Sequence, residues 1–280
     1  MDKNFCIYKT KQVYYARSLT EKPNPEFHNP HIHIQKEIYI FLKGNVEYVI
    51  EGTVYKPEPN DILIINDGEQ HYVRFLGTED YERIVINIRP EFFNQKEMQY
   101  IQDFFDEIKT KKDYLIPSYS SHNEGIPEVL MRLEKYANSE QTDLPVTCAL
   151  LEFLHLLTKA KRSNLAHRGN KIVAETISYI NNNLQNPISL DDLAKNCYIS
   201  KYYLCKLFKE YTGFTLNNYI INKRILKVRE LCQQGMSITE AVSLSGFSNY
   251  SNFYRAYTVY RGHSPKDDLK TGKKTKNFRK

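Results

Sequence analysis

Three histidines and one carboxylate, His31, His33, Glu37 and His71, are the residues of the N-terminal third whose types and spacing suit chemistry. Histidine and glutamate at His-x-His-x3-Glu spacing, completed by a distant histidine, can gather a Zn, Mn, Fe or Ni ion or hydrogen-bond a polyol, because imidazole and carboxylate serve both purposes. On an extended strand from His31 to Leu42, His31, His33, Gln35, Glu37, Tyr39 and Phe41 share one face. Ile32, Ile34, Ile38, Ile40 and Leu42 share the other. The polar face is expected to line a lumen.

A different chemistry is written twice in the last third, about 48 residues apart. Each copy has a helix cap, a short apolar helix, a turn and a second helix with polar and basic residues. Ser189-Leu-Asp-Asp192 is a near capping box, and Ser237-Ile-Thr-Glu240 is a better one. In the first copy Leu204, Leu207 and Phe208 anchor the second helix, which turns Lys201, Tyr202, Cys205, Lys206 and Lys209 outward. In the second copy Phe253 and Tyr257 are the anchors, and Asn249, Tyr250, Ser251, Asn252, Tyr254 and Arg255 are free to face a partner. Gly246 supplies the positive φ of the second turn, with Phe247 plugging the core beneath it.

These residue types suit the edges of base pairs. Arginine can donate two bonds to guanine, asparagine can pair with adenine, and tyrosine can pack on a thymine methyl or donate to phosphate. Lys206, Lys209, Lys223, Arg224, Lys227 and Arg229 are expected as phosphate clamps or solvated surface. Thr215–Gln234 reads as one helix ended by Gly235. At about 1.5 Å per residue it spans roughly 30 Å, close to the ~34 Å of one DNA turn. Two helix-turn-helix units on such a strut can enter successive major grooves.

The elements that position these residues follow from pattern. Short β-branched and aromatic runs occur at His31–Leu42, Val46–Ile50, Ile62–Ile65, His71–Phe75 and Arg83–Ile88, separated by glycine, proline and asparagine turns. They indicate a sandwich or barrel. From Phe92 to Ile108 the period becomes helical, and helices follow at Ile126–Ala137 and Leu144–Lys161. The last carries more apolar surface than one stripe needs, so it is expected to pack on the barrel and also to form a homodimer seam.

Charge divides the 280 residues unevenly. Residues 1–165 carry 20 Lys+Arg against 25 Asp+Glu, and residues 166–280 carry 19 against 8. Only the basic part is suited to a polyanion. Five scattered cysteines without paired spacing fit a reducing cytoplasm, and no apolar stretch is long enough for a membrane span. The expected location is cytoplasmic, with no membrane partner.

Residues 171–266 resemble the DNA-binding domain of the AraC/XylS family of bacterial transcription regulators. The resemblance rests on Ile188–Ala194, Ser200–Phe208 with Tyr211-Thr212-Gly213, Ile238–Val242 with Gly246-Phe247, Ser251-Asn252-Phe253, and Gly262-His263-Ser264-Pro265. It implies recognition helices at 201–211 and 250–260. The chain departs from the family at Ala241-Val242, at Tyr257 where phenylalanine is usual, and at Asp267-Asp268 where a Tyr-Arg pair is usual. His31, His33, Glu37, Gly44, Pro57, Asp61 and His71 resemble the two motifs of a cupin barrel, the effector domain commonly joined to this DNA-binding domain.

The fold class expected is α+β multidomain: a cupin-like barrel at 1–90, a helical dimerisation segment at 91–165 and a linker at 166–171. A DNA-binding domain at 172–270 follows, with helix-turn-helix units at 190–211 and 238–261, and then a basic tail at 271–280. The resemblance implies a non-enzymatic regulator without catalytic residues or cofactor. Its barrel binds a small effector, a sugar first among candidates, through His31, His33, Glu37, Tyr39 and His71. Regulatory cupins resemble metal enzymes without retaining the metal, so these four histidine and glutamate side chains are expected to hold no ion. The competing class is a cupin metalloenzyme, an isomerase or dioxygenase built on His31, His33, Glu37 and His71.

Overall fold

The computed structural model describes residues 2–26, 29–139, 143–163 and 169–269. The chain divides into two compact units, Met1–Gly169 and Asn170–Lys280. The tail at 271–280 and residues 166–168 of the segment expected as a linker lie outside the described residues.

The first unit runs β1 (Asp2–Lys9), β2 (Val13–Thr20), β3 (Lys36–Lys43), β4 (Val46–Ile50), β5 (Thr53–Tyr55), β6 (Ile62–Ile65), β7 (His71–Phe75) and β8 (Tyr81–Ile88). After two short 3-10 turns come α1 (Gln99–Lys111), β9 (Leu115–Ile116), α2 (Ser118–Asn123), α3 (Ile126–Ala137) and α4 (Asp143–Lys159). The strands form a six-stranded sheet in the order β1-β2-β8-β3-β6-β9 and a three-stranded sheet in the order β5-β4-β7, with every pairing antiparallel. Aromatic pairs join the sheets: Tyr39 of β3 lies 4.4 Å from Tyr48 of β4, and Phe75 of β7 lies 5.2 Å from Tyr81 of β8. At the β4–β5 hairpin, Glu51 and Gly52 both take positive φ, 47° and 76°. That is the two-residue turn whose twist matches paired strands.

Two expectations about the first strand are corrected. The strand begins at Lys36, not His31; residues 31–35 contain one isolated bridge, His31 to His71, and a bend at Ile34-Gln35. The His33 ring hydrogen-bonds the Gln35 carbonyl within this bend, so side-chain alternation does not run through from His31 to Glu37. Of the face expected to line a lumen, Glu37 and Tyr39 do line a cavity, although Tyr39 and Phe41 are as buried as Ile38 and Ile40. Lys36 is buried as well. Its ammonium donates to Asn66 Oδ1 at 3.1 Å and Asp67 Oδ1 at 2.9 Å and sits 4.8 Å over the Phe105 ring.

The helices cover the larger sheet and return a strand to it, since β9 pairs with β6 through Leu63↔Leu115 and Ile62↔Ile116. Val146, Leu150, Phe153, Leu154 and Leu157 of α4 are buried in the same core as β3, β6 and β8. Met131, Leu144 and Leu151 stay outside, at 73%, 68% and 36% exposure.

The second unit is helical: α5 (Lys171–Asn182), α6 (Leu190–Asn196), α7 (Lys201–Thr212), α8 (Leu216–Gln233), α9 (Ile238–Ser243), α10 (Tyr250–Arg261) and α11 (Pro265–Asp268). Side chains of Asn170, Ser189, Ser200, Thr215, Ser237 and Asn249 each accept a backbone N–H in the first turn of the helix that follows. Each such cap satisfies a donor the helix cannot use and contributes about 1 kcal/mol. Leu204, Phe208, Phe253 and Tyr257 are fully buried. The turns of the two copies match in conformation, for Tyr198 and Gly246 stand 48 residues apart with φ of 56° and 81°. Among the described residues, no helix is long and apolar enough to cross a membrane.

Candidate effector and DNA-binding sites

His31 and His71 are brought together by their mutual backbone bridge, with N–H to carbonyl distances of 3.1 Å in both directions. Glu37 enters from the first turn of β3. Its Oε2 lies 3.2 Å from His33 Nε2 and 3.6 Å from His71 Nε2, and its Oε1 accepts from the Tyr48 hydroxyl at 2.8 Å. One ligand atom from each of His31, His33, Glu37 and His71 lies within 4.8 Å of the others. The three imidazoles pack edge to face, with His71 centroids 4.2 Å and 4.7 Å from those of His31 and His33.

Charge in this cluster is set by mutual contact as much as by burial. Burial would raise the Glu37 carboxyl, but the facing His71 and His33 rings hold it well below the usual carboxylate range. Burial would lower His71, and the Glu37 carboxylate beside it more than offsets that. His31 is pushed down to about 4 by burial and by its His71 neighbour. Tyr48 is raised by burial and by the Glu37 charge, so it stays a neutral donor.

Part of the cluster lines a cavity of about 440 Å³. His31, Glu37 and Tyr39 reach its wall, while His33 and His71 do not. The rest of the wall carries Tyr48, Tyr72, Phe75 and Tyr81 with Val73 and Val85, and also Asp2, Thr20, Pro23, Asn24 and Asn29; Phe75 and Tyr81 were missed from sequence. Arg83 lies at the same wall, donating to Asp2 at 2.7 Å and Thr20 at 2.8 Å. Tyr81 donates to the Tyr39 hydroxyl at 2.9 Å. Among twenty-two tyrosines Tyr39 was foreseen at this site, and the pairing of β3, β8, β4 and β7 adds Tyr81 to it.

In the second unit, Tyr202, Cys205, Lys206 and Lys209 fall at i, i+3, i+4 and i+7 along α7 and line one shallow depression of about 330 Å³. Tyr202 is 80% exposed. Lys201 stands apart, its ammonium 2.9 Å from Asp191. The repeat offset of 49 places Ser251, Tyr254, Arg255 and Thr258 at the same four positions of α10, and all four are exposed. Thr258, absent from the expected set, donates its hydroxyl to the Tyr254 carbonyl at 2.9 Å. Two expected residues have other employment. Asn249 is the counterpart of Ser200 and caps α10, accepting from Asn252 N at 2.8 Å; Tyr250 is half-buried against the Phe253 ring. Asn252 donates to Ser248 Oγ and accepts from Arg255, which holds that guanidinium over the exposed face.

Arg224 and Arg229 of α8 are structural, which corrects their expected role as phosphate clamps or solvated surface. Arg224 Nε donates to the Leu184 carbonyl at 3.0 Å and its terminal nitrogen to the Asn186 carbonyl at 2.8 Å, tying the exit of α5 to α8. Arg229 donates to the Tyr257 hydroxyl at 2.8 Å, so the tyrosine at this core position has a partner for its oxygen. Lys227 pairs with Glu230, and Lys223 lies 5.1 Å from the Tyr219 ring centroid. Gly246 completes the same joint. A Cβ there would stand 2.0 Å from the Leu184 oxygen and 2.7 Å from Arg224 Nε.

Two capped helix pairs with matched exposed stripes, joined by one helix and preceded by a double-sheet unit with a cavity, define a two-part DNA-binding regulator. Comparison with known proteins agrees in both parts. A family profile described as an AraC-like ligand binding domain matches residues 14–154, and a helix-turn-helix domain profile matches residues 193–271. The chain belongs to the AraC family of transcription regulators. It is 23% identical over 236 residues to the probable transcriptional regulator LumQ of Photobacterium leiognathi, covering 84% of this chain and 89% of that protein. It is 24% identical over 260 residues to the XylDLEGF operon transcriptional activator 1 of Pseudomonas putida, covering 85% and 75%. Over 95 residues, 34% of this chain and 26% of the relative, it is 34% identical to the HTH-type transcriptional regulator GbdR of Pseudomonas aeruginosa.

Proposed function

We infer that this regulator acts as a cytoplasmic homodimer whose N-terminal cavity binds a small polar effector, with a sugar as the first candidate. The carrying observation is the cavity of about 440 Å³, whose wall combines aromatic side chains with the polar His31, Glu37 and Arg83. A pyranose-sized ligand offers apolar ring faces to tyrosines and hydroxyls to imidazole, carboxylate and guanidinium, the mixture such a lining accommodates. Contacts to base edges come from Tyr202, Cys205, Lys206, Ser251, Asn252, Tyr254 and Arg255, with Lys201, Lys209, Asn249 and Tyr250 toward the backbone. Dimerisation uses α3 and α4, where Met131, Leu144 and Leu151 stay exposed. The effector acts by favouring one arrangement of the protein over another, which requires it to bind the two arrangements unequally.

Thermal-shift screening of the full chain against a sugar panel tests the reading, with a Val85→Phe variant to fill the cavity. The reading expects a saturable rise in unfolding temperature that the variant abolishes. A rise of equal size in both proteins places the ligand elsewhere and overturns it. The metalloenzyme alternative requires turnover of a substrate, and the chain's curated relatives are named as transcriptional regulators.

A further inference from the structure

The turn between α6 and α7 holds a side chain at odds with its backbone. At the end of α6 the Tyr198 N–H donates to the Lys195 carbonyl at 3.0 Å and the Ile199 N–H to the Ala194 carbonyl at 3.1 Å. That paired closure puts one residue in the left-handed region, a position glycine fills without steric cost. Here the residue is Tyr198, with φ of 56°. The other non-glycine residues with positive φ among the described residues are Lys22, Glu51, Asn60 and Lys112, so Tyr198 is the one aromatic side chain held this way. A bulky residue is strained there.

Packing does not compensate that strain. Tyr198 is 96% exposed, more than any other large apolar or aromatic side chain among the described residues, and within them it makes no side-chain hydrogen bond or ring contact. At the matching position 48 residues on, the chain does use glycine, and there the Leu184 oxygen leaves Gly246 no room for a side chain. The second turn is packed; the first opens to solvent. Strain kept without a packing return points to function.

Tyr198 stands two residues before the Ser200 cap and four before Tyr202, at the N-terminal end of the exposed α7 stripe. In a helix-turn-helix the first helix crosses the DNA backbone and the head of the second enters the groove, so the turn between them passes the phosphates of the groove wall. A tyrosine there carries a hydroxyl donor at its tip, and a phosphate oxygen accepts such a bond.

We propose that Tyr198 donates its hydroxyl to a DNA phosphate at the edge of the groove entered by α7, and so fixes the position of that helix without reading a base. The strained turn is kept for this contact, which rests on the reading of α7 as a groove-entering helix.

Calorimetry and DNA-binding isotherms of full-length Tyr198→Gly and Tyr198→Phe test this, on a duplex recovered by site selection and on its single-base variants across salt concentrations. Tyr198→Gly relieves the strain while giving the unfolded chain more freedom, so its transition should hold or rise, by roughly 5 °C. Its affinity should fall about 10-fold or more, as for a lost hydrogen bond to a charged group, and Tyr198→Phe should show the same fall with an unchanged transition. The loss should be equal on every base variant and leave the salt slope unaltered, because the contact adds no cation. A purely structural residue would lower transition and affinity together. A lowered transition in Tyr198→Gly, wild-type affinity in Tyr198→Phe, or a loss confined to one base position overturns the proposal. Lys206→Ala on the same duplex separates this failure from that of the underlying reading. If it still weakens binding, α7 enters the groove and the Tyr198 contact alone is wrong; if it does not, the groove placement fails as well.

Discussion

Gly246→Ala is expected to damage the DNA-binding unit far more than the same change at two other glycines, and the structure supplies the comparison. Gly235, Gly246 and Gly262 all take left-handed backbone angles, φ of 97°, 81° and 74°. Alanine therefore costs roughly 1–2 kcal/mol in backbone strain at each of the three. The surroundings differ. An added Cβ meets nothing within 4 Å at Gly235 or Gly262, whereas at Gly246 it lies 2.0 Å from the Leu184 oxygen and 2.7 Å from Arg224 Nε. Relief requires the Leu184 carbonyl to retreat by more than about 1 Å, far enough to break its 3.0 Å bond from Arg224. A hydrogen bond to a charged group contributes about 1.5–3 kcal/mol, so Gly246→Ala should total roughly 3–5 kcal/mol. At about 4–8 °C per kcal/mol for a unit of this size, its calorimetric transition should fall by roughly 12 °C or more. Gly262→Ala should lose about 4–16 °C on the same scale. Calorimetry of the full chain, with fluorescence anisotropy on operator DNA, measures both effects. Equal transitions for Gly246→Ala and Gly262→Ala would refute the close joint between α5, α8 and the second turn.

Arg255→Ala should weaken binding by about 1–3 kcal/mol at one base position, while Lys206→Ala should weaken all sequences alike and lower the salt slope by about 1; quantitative site selection across salt concentrations separates the two. Asp67→Ala leaves the buried Lys36 ammonium with only Asn66 and should cost about 1–2 kcal/mol, less than the ~3–5 of a fully buried pair because Asp67 is 44% exposed. Burial raises the Asp67 carboxyl but Lys36 draws it below its usual value, so its stabilisation is complete above the ordinary carboxylate pKa and disappears as pH falls through the lower folded value. Acid unfolding of Asp67→Asn should lack that component, and an unchanged acid profile would remove Lys36 as the cause. Met131→Lys with Leu144→Glu should shift the chain from dimer to monomer in sedimentation velocity, and an unaltered dimer would place the seam elsewhere.

The second unit was legible in the sequence because its determinants are local. Ser189, Ser200, Thr215 and Ser237 announce helix starts by chemistry that acts over three residues, and Leu204, Phe208, Phe253 and Tyr257 repeat at a helical period. Even there, Asn249 was given to DNA when its correspondence to Ser200 made it the cap. The basic residues of α8 misled because charge suggests solvent, yet Arg224 and Arg229 find carbonyl and hydroxyl partners 28 to 40 residues away in the chain.

The first unit was less legible. His31, His33, Glu37 and His71 were chosen correctly as a cluster, but through a strand the chain does not form; a bend and a single bridge to His71 bring them together. Strands β1, β2, β5 and β9 were not foreseen. β1 is a mostly exposed edge strand without polar–apolar alternation, β5 has three residues and β9 two, so each depends on the strand it pairs with. The aromatic cavity wall depends on cross-sheet contacts that no local pattern encodes.

Selection of bound sites from random duplex DNA by the full chain tests the central claim most directly. The α8 strut and the matched stripes of α7 and α10 predict two enriched elements with centres about 10–10.5 base pairs apart. One of them should be erased by alanine at Lys206 and the other by alanine at Arg255. Enrichment of a single element altered by both variants, or none at all, would contradict the account.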